Sequence, residues 1–246
     1  MKKILMFISA AVMAFSYTSC SKEEIAMYDQ EPRINFDQTA VYRELGDTDY
    51  VKMKDEPYRL DSVRVILQGD LLTANRDFCI KQVADDSYAN SLEMQLDDHY
   101  TYSNLEGVTQ YAYFKVKRPA YKAGNRAYGC SLEFDVTNPK HQFLKGLVER
   151  NSVTVNYVWN ITEPEGWADW NYDFGIGSFS AIKYCYMMDV WGKTMDDFIT
   201  EEGYAYDYDE AYNAIVDIIN AYNEYKAEHG PILDENGNDI FPDEDE

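Results

Sequence analysis

The chain is expected to be mainly β: an antiparallel, immunoglobulin-like β-sandwich followed by a small α-containing C-terminal region. Three observations predict this. Short runs of alternating apolar and polar residues recur between residues 31 and 162, separated by turn residues. Tyrosine is abundant at 22 and proline scarce at 7, which suits pleated, half-buried surfaces better than disordered linkers. After Thr162 the alternation gives way to helical spacing bounded by caps.

Arg33-Ile34-Asn35-Phe36 reads as the first strand. Tyr50 and its neighbours, Arg59 to Gln68 with Val63, Val65 and Leu67 alternating, and Phe78 to Val83 read as half-buried strands, with Gly69-Asp70 and Ala74-Asn75 as turns. Leu92 to Leu96 follows, then Ala112 to Val116, in which Tyr111 and Tyr113 take the face opposite Ala112, Phe114 and Val116. Leu132 to Val136 and Val153 to Ile161 complete seven or eight strands with no long helix between them. Beyond Glu163-Pro164-Glu165-Gly166, Ser180 caps a helix over Ala181 to Trp191 with Gly192 as its stop, and Ile182, Tyr186 and Val190 recur at four-residue steps. The alternation of Tyr184, Tyr186 and Met188 leaves a strand open there. A second helix runs from Asp209 to Glu228 on a stripe of Tyr212, Ile215, Ile219 and Tyr222, ended by Gly230-Pro231. Asn236-Gly237 signals a type I′ hairpin between Ile232 and Phe241, and residues 243–246 are expected to be disordered.

At the other end, Lys2 and Lys3 precede an uncharged, mostly apolar run from Ile4 to Phe15, and Ser16, Thr18 and Ser19 lead into Cys20. This is a secretory signal over residues 1–19, too short and wrongly flanked to span a membrane. Ending it on a cysteine resembles the bacterial lipoprotein signal, which implies that the Cys20 thiol carries lipid and anchors the protein in a membrane. An ordinary signal with an incidental cysteine is the other reading. A multiply acylated cysteine is held in a bilayer effectively for good, since each buried methylene contributes about 0.8 kcal/mol. Ser21-Lys22-Glu23-Glu24 resembles the acidic export tag of Bacteroidetes surface lipoproteins, with Lys22, Glu23 and Glu24 as the export signal; an acidic solvated linker over residues 20–30 looks the same.

Met27-Tyr28-Asp29 through Glu31-Pro32-Arg33-Ile34-Asn35-Phe36 resembles the opening of a domain-of-unknown-function family of Bacteroidetes surface lipoproteins, often encoded beside starch-utilisation-type transporters. Gly177, Ser180 and Lys183 resemble a Gly-x-x-Ser-x-x-Lys arrangement of the same family. The resemblance implies an outer-membrane, cell-surface location, an immunoglobulin-like domain and a transporter complex as partner.

With 22 basic against 44 acidic residues the formal charge is −22, and it deepens by two once Lys2 and Lys3 leave with the signal. Such a field repels nucleic acid and anionic headgroups, so neither is an expected partner. Cys79, Cys130 and Cys185 lie in apolar runs at irregular spacing, so buried free thiols are expected and a metal site is not. The sequence holds no serine elbow, phosphate loop or zinc-binding His-Glu run. No catalytic residue, metal ligand or cofactor is therefore assigned, and His99, His141 and His229 are expected to be solvated or hydrogen-bonded. Asp234 to Asp239 has the content of a calcium loop, but its glycine is fourth where that loop needs it sixth.

The remaining candidate is aromatic. Trp167, Asp169, Trp170 and Tyr172 stand in a segment without evident periodicity, and rings beside carboxylates can stack on the C–H faces of a sugar and accept from its hydroxyls. The same rings can instead plug the junction between sandwich and helices. Tyr100, Tyr102, Tyr111 and Tyr128 form a second such group. The leading expectation is a non-enzymatic envelope lipoprotein accessory to glycan binding or uptake. A structural or adhesive subunit comes second and an envelope hydrolase last.

Overall fold

Alternation is what the strands obey most faithfully. In a computed structural model of the chain, which describes residues 31–121, 126–199 and 206–242, the strand β3 (Tyr58–Gln68) points Asp61, Val63, Val65 and Leu67 inward. β8 (Thr109–Lys117) contributes Ala112, Phe114 and Val116, and β11 (Ser152–Trp159) contributes Val153, Val155, Tyr157 and Trp159. Each Val, Leu or Phe side chain among these, taken fully out of water, stabilises the fold by about 1.5–3 kcal/mol. The signal, the tether with Cys20, Lys22, Glu23 and Glu24, and the tail 243–246 lie outside the described residues.

The other strands are β1 (Arg33–Phe36), β2 (Ala40–Leu45), β4 (Arg76–Phe78), β5 (Ile80–Val83), β6 (Met94–Gln95), β7 (Tyr100–Tyr102), β9 (Ala127–Phe134) and β10 (Leu144–Lys145). They form one sheet in the order β10-β1-β3-β8-β6, a second in the order β2-β11-β9-β5, and a ribbon of β4 with β7. The two larger sheets share one core, with Phe36 of β1 stacked on Phe134 of β9 at 4.2 Å. From Pro32 onward the chain is one compact unit.

Among the named strands pairing is antiparallel except at two places: β1 runs parallel to β10, and β2 runs parallel to β11. An entirely antiparallel sandwich is thus corrected. Period-two patterning assigns faces and carries no information on strand direction. β9 also begins earlier than its clearest alternation, at Ala127, and ends before Val136, which is exposed.

Tyr50 is not in a strand. It lies in α1 (Asp47–Asp55), an inserted helix between β2 and β3 whose first turn carries Asp47 and Asp49, with the Asp49 carboxylate accepting from Gly46 N. Tyr50 and Met53, three apart, turn to the core with Val51 packed partly against it, while Lys52 and Lys54 face water. One β-favouring aromatic was a weaker signal than the acidic helix start. Three more helices follow: α2 (Trp167–Phe174), α3 (Ala181–Trp191) and α4 (Tyr208–His229).

α3 is a helix with Ser180 and Gly192 as its caps. Ser180 Oγ accepts from Lys183 N at 3.2 Å, and Gly192 takes φ 71°. Its buried face is not the Ile182-Tyr186-Val190 stripe, which is only half-buried; Ala181, Tyr184, Cys185 and Met188 turn inward. α3 is apolar almost all round, so four-residue spacing occurs in more than one phase. In α4 the buried stripe is Ala211, Ile215, Ile218 and Tyr222, and Tyr212 is exposed. The terminal turn is also different. Gly237 N donates to Asp234 O, which puts Glu235-Asn236 at its centre, with Gly237 following at φ 86°, because the Asp234 carboxylate accepts from both Asn236 N and Asn238 N.

Asp61 ties the sheets together. Its carboxylate accepts from Arg43 Nε (2.9 Å) and Nη2 (2.7 Å) on β2, from Tyr157 OH (2.5 Å) on β11 and from Ser62 N (2.7 Å). Burial alone would raise its pKa, but these donors outweigh it and hold the carboxyl below its ordinary value. Arg43→Ala is expected to lower stability at pH 7 by roughly 2 kcal/mol or more in urea denaturation. The depressed group stabilises above its unfolded pKa and ceases to do so as pH falls through its folded one, so the gap between variant and wild type should close on acidification below about pH 4.

Candidate functional site

The Trp167 segment is helical and periodic after all. Trp167, Trp170 and Phe174 stand at positions i, i+3 and i+7 of α2, and Gly175 closes it at φ 67°. Trp167 and Trp170 are therefore driven to one face and buried, at 2 % and 1 % exposure, whereas Tyr172 projects from the other at 90 %. Trp167 donates its indole N–H to Gly177 O at 3.0 Å and meets Phe179 edge-on at 5.1 Å. Trp170 sits at the centre of Phe174, Trp191, Phe198 and Tyr206, all with ring centroids within 5.5 Å.

Two of the four candidate residues, Asp169 and Trp170, line a cavity of about 600 Å³. An edge of Trp170, the Tyr206 ring and Ile199 make its apolar wall, and Glu165, Asp169 and Asp196 make its rim. Trp167 and Tyr172 are not part of it. Burial and the neighbouring charges of Asp47, Asp197 and Glu165 raise the Asp196 pKa, which reports a crowded negative field. Tyr206 donates its hydroxyl to Asp173, and its ring lies tilted against Trp170 with centroids 5.3 Å apart. Concave, ring-walled and rich in acceptors, the cavity suits a polyhydroxylated molecule with an apolar face. Sequence reading missed Glu165, Asp196, Ile199 and Tyr206, since only the fold brings residues 165–170 beside 195–199 and Tyr206.

Of the second tyrosine group, Tyr100, Tyr102 and Tyr128 are buried, and Tyr111 stands exposed on β8 beside Tyr113. His141 Nδ1 accepts from Cys79 N at 3.1 Å, and burial lowers its pKa, so it serves the backbone in its neutral form. Cys79, Cys130 and Cys185 are free and buried, and burial pushes the Cys130 and Cys185 thiols up to about 12, far from the range of a nucleophile. Among the described residues no group of three or more His, Cys, Asp or Glu is arranged to hold a metal ion, and no helix is long and apolar enough to cross a membrane.

Gly177, Ser180 and Lys183 do come together, as a clasp for the chain end. Lys183 is buried, and its ammonium donates to Ile176 O at 2.8 Å and Ser178 O at 3.2 Å, 5.2 Å from the Phe241 ring. Ser180 Oγ donates to Glu235 at 2.7 Å, and the same carboxylate accepts from Ile182 N, so an acid from the terminal turn sits on the N-terminus of α3. Gly177 takes φ 78°, and a Cβ there would stand 3.2 Å from Lys183 Nζ.

No protein-family model and no curated protein matches the chain. Solved structures resemble it over about half its length. One is a Bacteroides ovatus protein with a proposed carbohydrate-binding role, with TM-score 0.39 and 10 % identity over 51 % of this chain and 36 % of that one. A second B. ovatus protein, of unknown function, gives TM-score 0.35 and 8 % identity over 51 % and 44 %. The Calx CBD1 domain gives TM-score 0.33 and 14 % identity over 53 % and 99 %. The chain thus spans less than half the length of the two Bacteroides proteins.

Trp170→Ala is expected to cost about 3–5 kcal/mol of stability because it empties the centre of a ring cluster. Tyr172→Ala should stay within about 0.5 kcal/mol of wild type. Chemical denaturation of the two variants side by side checks both.

Proposed function

We propose that the protein is a lipid-anchored, non-enzymatic component of the cell envelope that binds a nutrient glycan in the cavity beneath α2. The observation that carries this reading is the cavity's combination of Trp170 and Tyr206 rings with the Glu165, Asp169 and Asp196 acceptors. The half-buried Tyr206 ring and exposed Ile199 supply apolar surface for the C–H face of a pyranose, and the Glu165, Asp169 and Asp196 carboxylates fix its hydroxyls. Anchoring through Cys20, with Ser21-Lys22-Glu23-Glu24 directing the protein to the outer-membrane surface, would set this cavity where polymers arrive and beside a transporter as partner. The resemblance to Bacteroidetes surface lipoproteins agrees with that setting.

The sandwich that precedes the cavity-bearing helices is immunoglobulin-like in this reading. Taking β1, β3, β8 and β6 as A, B, E and D, and β2, β11, β9 and β5 as A′, G, F and C, with β10 as an added edge strand, the strand order supports it.

Two measurements test the proposal. Labelled fatty acid should enter the expressed protein and fail to enter Cys20→Ala; equal labelling, or none in either, removes the anchor. Calorimetry against a panel of neutral oligosaccharides should find a ligand whose affinity falls about tenfold in Asp169→Ala, an exposed rim substitution, with the melting temperature unchanged. A panel with no binder, together with co-purification of a transporter, would make this a structural or adhesive subunit instead.

A further inference from the structure

The outer face of the first sheet carries a surface at odds with the rest of the molecule. β3 and β8 are neighbours in the interior of that sheet, and their outward residues pair in register: Leu60 with Lys115, Ser62 with Tyr113, and Arg64 with Tyr111. Acids outnumber bases two to one over the chain, 44 to 22. Yet none of the eleven outward positions of these two strands is acidic, and three of them are Arg64, Lys115 and Lys117. Tyr111 and Tyr113 are half exposed, with ring centroids 6.3 Å apart, and Leu60 beside them is 63 % exposed.

The cations are not equivalent. Arg64 is paired with Asp37, and Lys117 with Glu93 at 2.8 Å, so the acids that answer them come from outside the two strands. Lys115, between Lys117 and the two rings, has no ion-pair partner among the described residues. From Tyr111 to Lys117 the strip runs about 20 Å, long enough for several sugar residues in a row. Cross-strand packing explains why tyrosines stand opposite Ser62 and Arg64. It does not explain a strip without carboxylates on so acidic a protein.

We propose that this face binds an anionic polysaccharide, a uronate-bearing chain whose sugar faces stack on Tyr111 and Tyr113 and whose carboxylates meet Lys115. The site is separate from the cavity beneath α2 and does not depend on it. Charge complementarity selects the occupant. Beyond a Debye length of about 8 Å at physiological salt the acidic remainder of the protein is screened, and Asp37 and Glu93 are already engaged by Arg64 and Lys117, so the cation left for a single narrow chain along the strip is Lys115. An anionic bilayer would press against a much wider footprint of a chain in which acids outnumber bases 44 to 22, and among the outward residues of the two strands Leu60 is the one exposed aliphatic side chain.

The probe is polygalacturonate, with dextran as neutral control and vesicles of anionic phospholipid as the competing surface, in affinity electrophoresis and calorimetry. Wild type should bind polygalacturonate and not dextran, more weakly as salt is raised. Lys115→Glu and the double variant Tyr111→Ala/Tyr113→Ala should each lose at least about tenfold in affinity, while Asp169→Ala at the cavity should leave it unchanged. All of these positions are exposed, and circular dichroism checks that each variant folds. Absence of polygalacturonate binding, binding indifferent to both variants, or binding to the vesicles with none to polygalacturonate overturns the proposal. An effect of Asp169→Ala on neutral sugars alone bears on the cavity and not on this face.

Discussion

A carboxylate buried between two sheets must be answered by donors that cannot drift, and Asp61 is answered from three strands. Arg43 reaches it from β2, Tyr157 from β11 and the Ser62 amide from β3 itself. An uncompensated charge at that depth would cost several kcal/mol, so any arrangement that separates these donors is strongly disfavoured. β2 can supply Arg43 only if the chain leaves the first sheet after Phe36 and joins the second beside β11, which is the crossing observed. The same constraint sets the register in which Phe36 meets Phe134 across the core. Tyr157 keeps its proton, its pKa raised by burial and by the adjoining carboxylate, and so remains a donor.

How much of this could be read from the sequence depends on the kind of signal each element leaves. β3, β8 and β11 were legible because one face of each is wholly buried, and alternation is then obligatory. The caps of α3 were legible because Ser180 and Gly192 answer local backbone demands. Which face of α3 is buried was not, since an almost wholly apolar helix fits more than one stripe. α2 was passed over although Trp167, Trp170 and Phe174 have helical spacing, because a short element rich in tryptophan and acid resembles a binding loop in composition. The rim of the cavity was out of reach, for Asp196 and Tyr206 approach Asp169 only through packing on the Trp170 cluster.

The charge of the chain is unevenly spent across its surface. Around α2, burial and the nearby charges of Asp47, Asp197 and Glu165 raise the proton affinity of Asp196. On the outer side of β3 and β8 they are missing, and lysine and tyrosine take their place. A net charge describes neither surface. What a ligand meets is set within a few ångströms, by side chains that alternation in the strands and spacing in the helices have sorted onto particular faces.

The clasp at the chain end has a further meaning when taken with the parallel edge pairs. Glu235 seats on α3, β10 lies beside β1, and β11 lies beside β2. β1 and β2 are thus held by strands that lie far along the chain, at Leu144–Lys145 and Ser152–Trp159, and such long-range closure is slow. A nascent chain would leave those edges of β1 and β2 unpaired until β10 and β11 emerged. Any passage that takes the polypeptide lengthwise through a narrow pore therefore meets it before it has locked.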